Sequence, residues 1–332
     1  MGLNKFLPNR TLIWKEWRST LVSTAILGGF VTFASSFMLI EEILNYWGKN
    51  PPGDPYVYFP LGGGVIGFVF VALTIMLAAG LMGQERDRNT FNLLLAMPYS
   101  RRDIIYNKFV FGLGQLIVVF GLNALVMTVL ILANADIQFT FGPAEIWVWT
   151  WHNIVVLSFV FAFTMLISTV SGTALGNKLL SMIFLFFPAG ILELININIQ
   201  YWSELRGLSE ALLNWGMLLT VPLYIMVDEV MKHYNLPLVY GVLIMLVGGL
   251  YKLTQHLFAR NQLENNGEVL VFEQLEGFFK LGVTVCFALL GGLILTTMLN
   301  LEHPAVAAMV YLLVGGVFWL LVSGLIKWRK PA

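Results

Sequence analysis

Long apolar runs alternate with short polar breaks along the chain. Eight of these runs, roughly residues 20–40, 60–82, 109–133, 153–175, 179–197, 237–259, 280–300 and 304–326, reach the 20 or so residues that a helix needs to cross the hydrocarbon layer. The pattern predicts an all-α polytopic membrane protein with about eight transmembrane helices. Residues 211–227, ALLNWGMLLTVPLYIMV, are apolar enough to compete for a ninth crossing. Pro222 near their middle favours a bend, so they are expected as a re-entrant or surface-lying helical segment on the outer side, between spans 5 and 6.

Two polar interruptions are long enough to carry a pattern of their own. In residues 84–108, QERDRNTFNLLLAMPYSRRDIIYNK, Asn89 and Thr90 can cap a short helix, and Phe91, Leu94 and Leu95 share one face of it at i, i+3, i+4. Pro98 ends that helix. Ser100 followed by Asp103 has the form of a capping box, opening a second helix that runs into the third span. The segment is expected as a two-faced helix held against the membrane between spans 2 and 3, a shape suited to docking a soluble partner. The second interruption, residues 258–277, carries Glu264, Glu268, Glu273 and Glu276, and is acidic where the first is basic. A solvated turn and a partner contact both remain open for it. Before the first span, residues 9–20 place Trp14 and Trp17 three apart with Lys15, Glu16 and Arg18 beside them, as a membrane-surface anchor or a partner-touching elbow would.

Composition agrees with the pattern. The chain is 58% hydrophobic and only 11% charged, against about 25% in soluble domains, with a mean hydropathy of +0.78. No polar stretch exceeds about 40 residues, short of the roughly 50 a soluble domain needs, and no cleavable signal peptide is evident. The net charge is zero, but its distribution is uneven. With the amino terminus inside, 16 of the 19 Lys and Arg residues fall on the cytoplasmic side, leaving Lys49, Arg206 and Lys232 outside. That is the bias expected of short loops, and a ninth crossing would invert it after residue 227. Trp47, Trp147, Trp149 and Trp151 in and beside the outer loops read as an interfacial belt.

Little in the chain carries chemistry. Cys286 is the single cysteine, and no metal spacing, phosphate loop or nucleophile elbow is present. Ionisable groups inside the spans are few: Glu193 sits near the outer end of its span, and Lys252 and His256 near the inner end of theirs, positions from which side chains snorkel. A secondary transporter driven by protons or sodium would be expected to carry more. Gly63-x-x-x-Gly67 permits close packing of helices, within the chain or across a dimer seam.

The Trp-Lys-Glu-Trp-Arg run at 14–18, the QERDRNTFNLLLAMPYSRR run at 84–102 and Lys108 opening the third span together resemble permease subunits of type-2 ABC exporters, most closely the bacterial Ytr-type permeases. The resemblance implies that Trp14, Lys15, Glu16, Trp17 and Arg18 form an elbow helix. It likewise implicates Glu85, Arg86, Arg88, Phe91, Leu94, Leu95, Pro98, Arg101 and Arg102 in coupling to an ATPase. Glu264, Gly267 and Glu268 are a second cytoplasmic contact candidate. The implied organisation is a single transmembrane domain over residues 1–332: an elbow (1–19), a six-span core (20–259), a cytoplasmic loop (260–279) and two extra spans with a basic tail (280–332).

On this resemblance the chain is no enzyme and binds no cofactor or metal, ATP and Mg being held by a separate ABC ATPase subunit. Its other partners would be a second permease copy or a sister permease and membrane lipid, with no nucleic acid. Its place would be the bacterial plasma membrane, with both termini cytoplasmic, and its cargo a hydrophobic or amphipathic lipid, antibiotic or peptide. A non-transporting sensor or accessory subunit of an ATPase complex is the alternative, and a secondary transporter the third reading.

Overall fold

The computed structural model describes residues 10–48, 56–57, 63–87, 99–202, 206–227, 235–260, 273–300 and 303–329. Among them, eight helices are long and apolar enough to cross a membrane, at the eight places the hydrophobic runs predict. The first is a 39-residue rod. It begins as α1 (Arg10–Thr32), passes through a π-helical turn (Phe33–Phe37) and ends as α2 (Met38–Gly48). Residues 10–19, expected as an elbow, are thus the opening turns of the same helix that carries the first apolar run. Leu12, Glu16, Thr20, Leu27 and Val31 are its buried residues, a stripe at helical spacing.

The other long helices are α3 (Gly64–Asp87), α4 (Arg101–Ala133), α5 (Pro143–Val170), α6 (Ala174–Trp202), α9 (Leu236–Arg260), α10 (Glu273–Met298) and α11 (Pro304–Arg329). Between α6 and α9 lie two short helices, α7 (Arg206–Leu219) and α8 (Leu223–Met226). They occupy the segment that competed for a ninth span. At 14 residues α7 reaches only about 21 Å, short of the roughly 30 Å of hydrocarbon. Pro222 sits at the N-cap of α8, where a residue without an N–H costs nothing. The only strand pairing among the described residues is a two-residue parallel one of β1 (Tyr56–Val57) with β2 (Gln138–Phe139). Val57 packs there in an apolar cluster with Leu39, Ile43, Met127, Ile131 and Phe141.

The chain divides into two compact units, one from Met1–Leu185 with Val221–Val269, the other from Phe186–Thr220 with Leu270–Ala332. In the first unit α5 is the central post. It packs against α3, α4 and α9, and 72% of its most apolar stretch is buried. Close approach there depends on glycine. A Cβ on Gly112 of α4 would stand 2.2 Å from the ring of Phe161, and one on Gly67 of α3 would stand 2.8 Å from the carbonyl oxygen of Ile225. Gly67 thus serves packing within the chain.

In the second unit α10 and α11 pack on one another, with Phe287 stacked on Phe318 at 4.3 Å and Tyr311 against Gly292. The hydroxyl of Tyr311 donates to Asn198 of α6 at 2.5 Å. Pro188 lies inside α6, and the N–H of the next residue, Ala189, is taken by the hydroxyl of Thr220 at 2.8 Å. Thr220 thereby satisfies a donor beside the break that proline makes in the helical ladder.

Candidate coupling site

The site is built around the first turns of α4. Ser100 is in the extended region, and its hydroxyl oxygen accepts the N–H of Asp103 at 3.2 Å. The carboxylate of Asp103 in turn accepts the N–H of Ser100 at 3.2 Å. This is the reciprocal box the sequence predicts, and it fixes where α4 begins. Arg101, next to the cap, donates from Nη1 to the carbonyls of Phe258 and Ala259 at 3.2 and 3.4 Å. Those carbonyls belong to the last turn of α9, which has no helical donors left for them, and a cation is favoured at that end of the helix. Arg101 therefore joins the start of α4 to the end of α9, while Arg102 is exposed. One residue before the cap, the hydroxyl of Tyr99 lies 3.3 Å from that of Thr11 in α1.

Seven residues into α4, Lys108 is wholly buried. Its ammonium donates to Oε1 of Glu16 at 2.9 Å and to the carbonyl oxygen of Leu81 in α3. Glu16 is 2% exposed; its other oxygen, Oε2, accepts no hydrogen bond among the described residues. Lys15 stands at the edge of the pair, 3.7 Å from Oε1. The seam between α1 and α4 stays polar above this point. Gln115 donates to the hydroxyl of Thr24 at 2.6 Å. Further along, Ser36 donates to the amide oxygen of Asn123, whose Nδ2 donates to Ser35, both at 2.6 Å. The π turn places Ser35 and Ser36 side by side on the buried face.

The expected site residues are distributed unevenly over this geometry. Trp14, Trp17 and Arg18 are exposed and Lys15 is half-buried, whereas Glu16 of the same run points inward. Glu85 and Arg86 lie in the last turn of α3. The positions of Arg88, Phe91, Leu94, Leu95 and Pro98, and of Glu264, Gly267 and Glu268, are outside the described residues. Of the groups noted inside the spans, Glu193, Lys252 and His256 are all exposed on their helices. The ion pair of Glu16 with Lys108 is the feature the sequence reading missed. Its signal was a lone acid on the face of Leu12, Thr20 and Leu27, and a lone base two turns inside a capped helix. Trp149 also differs from the belt expected of it. It is half-buried and meets Phe70 and Phe120 at ring distances of 6.4 and 6.0 Å, while Trp47, Trp147 and Trp151 are exposed.

Eight helices long and apolar enough to cross a membrane, with a capped, basic start to the third of them, define a multi-pass membrane protein. The chain belongs to the ABC-2 family of transporter proteins, whose pattern matches residues 10–240. That family consists of ABC permease membrane subunits, which are not themselves catalytic. Two proteins of Bacillus subtilis (strain 168) are similar to it. The probable ABC transporter permease YtrC is 25% identical over 297 residues, covering 80% of this chain and 86% of YtrC. The probable ABC transporter permease YtrD is 25% identical over 204 residues, 58% of this chain and 60% of YtrD. No solved structure matches the chain. The family match ends near the start of α9, so α10 and α11 lie beyond it.

Proposed function

We propose that the chain is the permease of an ABC exporter, turning the closure of a separate ATP-hydrolysing subunit into movement of its own spans. The observation that carries this reading is the bracing of the loop between α3 and α4. Both of its roots and the start of α1 meet at one buried ammonium, and Arg101 ties the same root to α9. Helix ends joined in this way pass a push on either of them to four helices, α1, α3, α4 and α9.

The face of Phe91, Leu94 and Leu95 supplies apolar contact to the ATPase, and Arg86, Arg88, Arg101 and Arg102 set its register by charge. Glu264, Gly267 and Glu268 form a second contact. The protein sits in a bacterial plasma membrane with both termini in the cytoplasm, pairs with a second copy or a sister permease, and exports a hydrophobic or amphipathic cargo. ATP and Mg stay on the partner.

The test is recovery of the ATPase with affinity-tagged permease from native membranes. Leu94→Asp with Leu95→Asp is expected to abolish recovery while membrane insertion is retained. Undiminished recovery overturns the docking role of the loop. ATP-driven uptake of a lipophilic dye into inverted vesicles distinguishes an exporter from a non-transporting sensor.

A further inference from the structure

We propose that Lys108 is a positioning residue for coupling: with Glu16 and the Leu81 carbonyl it forms a three-way lock that holds α1, α3 and α4 together as one mechanical piece at the roots of the 88–100 loop. The proposal deepens the function above and rests on it for its purpose, though not for its geometry.

Three observations carry it. The first is location. Leu81 lies six residues before the end of α3, and Lys108 seven residues after the start of α4, so the lock stands roughly 10 Å from each root. A force applied to the loop meets this joint within about two helical turns.

The second observation is chemistry. An ammonium has three donors in a compact head, which allows one residue to serve a carboxylate on one helix and a carbonyl on another. The Leu81 oxygen has a second lone pair for it beyond the one used in its own helix. An aliphatic side chain at 108 would join none of the three helices in this way.

The third observation is burial. Lys108 has no exposed surface and Glu16 almost none, so neither charge can exchange its partner for water. Separation of the pair would leave a buried ion uncompensated, and the contact is therefore held or broken as a unit. Oε2 of Glu16 accepts no hydrogen bond among the described residues, and Lys15, partly exposed, stands 3.7 Å from Oε1, so the buried ammonium of Lys108 at 2.9 Å is the shorter of the two ion pairs the acid makes.

The three contacts make separable predictions, measured by electron paramagnetic resonance on spin-labelled full-length permease in lipid nanodiscs. Cys286→Ala removes the single native thiol. Labels at Trp14 and Arg102 read α1 against α4, and labels at Asp87 and Arg102 read the two loop roots against one another. Glu16→Gln is expected to broaden the first distance distribution about twofold and leave the second unchanged, because the Leu81 contact survives. Lys108→Met is expected to broaden both, and Lys108→Arg, which keeps charge and donors, to restore both.

If Lys108→Met does not fold, Lys108→Gln retains a donor for Leu81 and is expected to broaden only the first distribution. Root-to-root spread equal to wild type in Lys108→Met, or equal broadening of both distances in Lys108→Gln, overturns the lock. In the complex with the co-purified ATPase, Lys108→Met is further expected to keep the ATPase bound while losing any ATP-dependent shift of the Trp14 label, and Lys108→Arg to regain it. A shift retained in Lys108→Met overturns the positioning role. Distances in the isolated permease judge the lock alone, and ATPase recovery with the Leu94 and Leu95 variants judges the docking reading alone.

Discussion

Polar side chains inside a membrane bundle are held by partners, because hydrocarbon offers them none. Asn123 shows this at the scale of single residues. Its amide accepts from Ser36 and donates to Ser35, so removing it takes the acceptor from the buried Ser36 hydroxyl, while Ser35 keeps its donation to the Val31 carbonyl. Asn123→Ala is expected to cost about 1–2 kcal/mol, since interhelical hydrogen bonds in membranes are individually modest. Thermal unfolding in mild detergent measures the loss, and an unchanged midpoint would refute the pairing. Lys108 belongs to a different class, because the group it loses on substitution is a whole charge at a site water does not reach.

Among the elements, α4 shows how a local signal sets a boundary. The Ser100–Asp103 box satisfies donors that the first turn cannot satisfy internally, and it does so directly beside a loop of charged residues. Ser100→Ala is expected to cost about 1 kcal/mol of helix-end stability. The loss would be seen as faster amide hydrogen exchange confined to the first turn of α4; exchange spread evenly along the helix would contradict it. A boundary that loosens there also loosens the base of Arg101, which holds the last carbonyls of α9. The π turn in the first rod is the complementary case. It inserts no breaker into the sequence, yet it turns two consecutive serines toward the same asparagine.

Over the whole molecule, the distribution of basic residues predicts the side on which each loop lies. Arg102 is exposed, and with Cys286→Ala an Arg102→Cys variant offers a single thiol. A membrane-impermeant maleimide is expected to label it in inverted vesicles and not in right-side-out cells. The opposite result would place the loop away from any cytoplasmic ATPase and remove the proposed function with it. Five of the long helices lie in the unit that also includes the loop roots, α6 is divided between the two units, and α10 and α11 lie in the other, beyond the part of the chain the family pattern matches.

Local rules made the eight spans, the break at Pro222 and the capping box at Ser100 legible in the sequence. Hydropathy over some 20 residues, proline geometry and a three-residue cap are all properties of neighbours in the chain. The inward turn of Trp149 was not legible, because the aromatic partners it packs against come from α3 and α4. Nor was the pairing of Glu16 with Lys108, whose residues stand 92 apart, or the choice of the Leu81 carbonyl as the third member. A lone charge announces that it needs a partner. Which partner it meets is decided only when helices pack, since burial and distance are properties of the assembled bundle and of no segment within it.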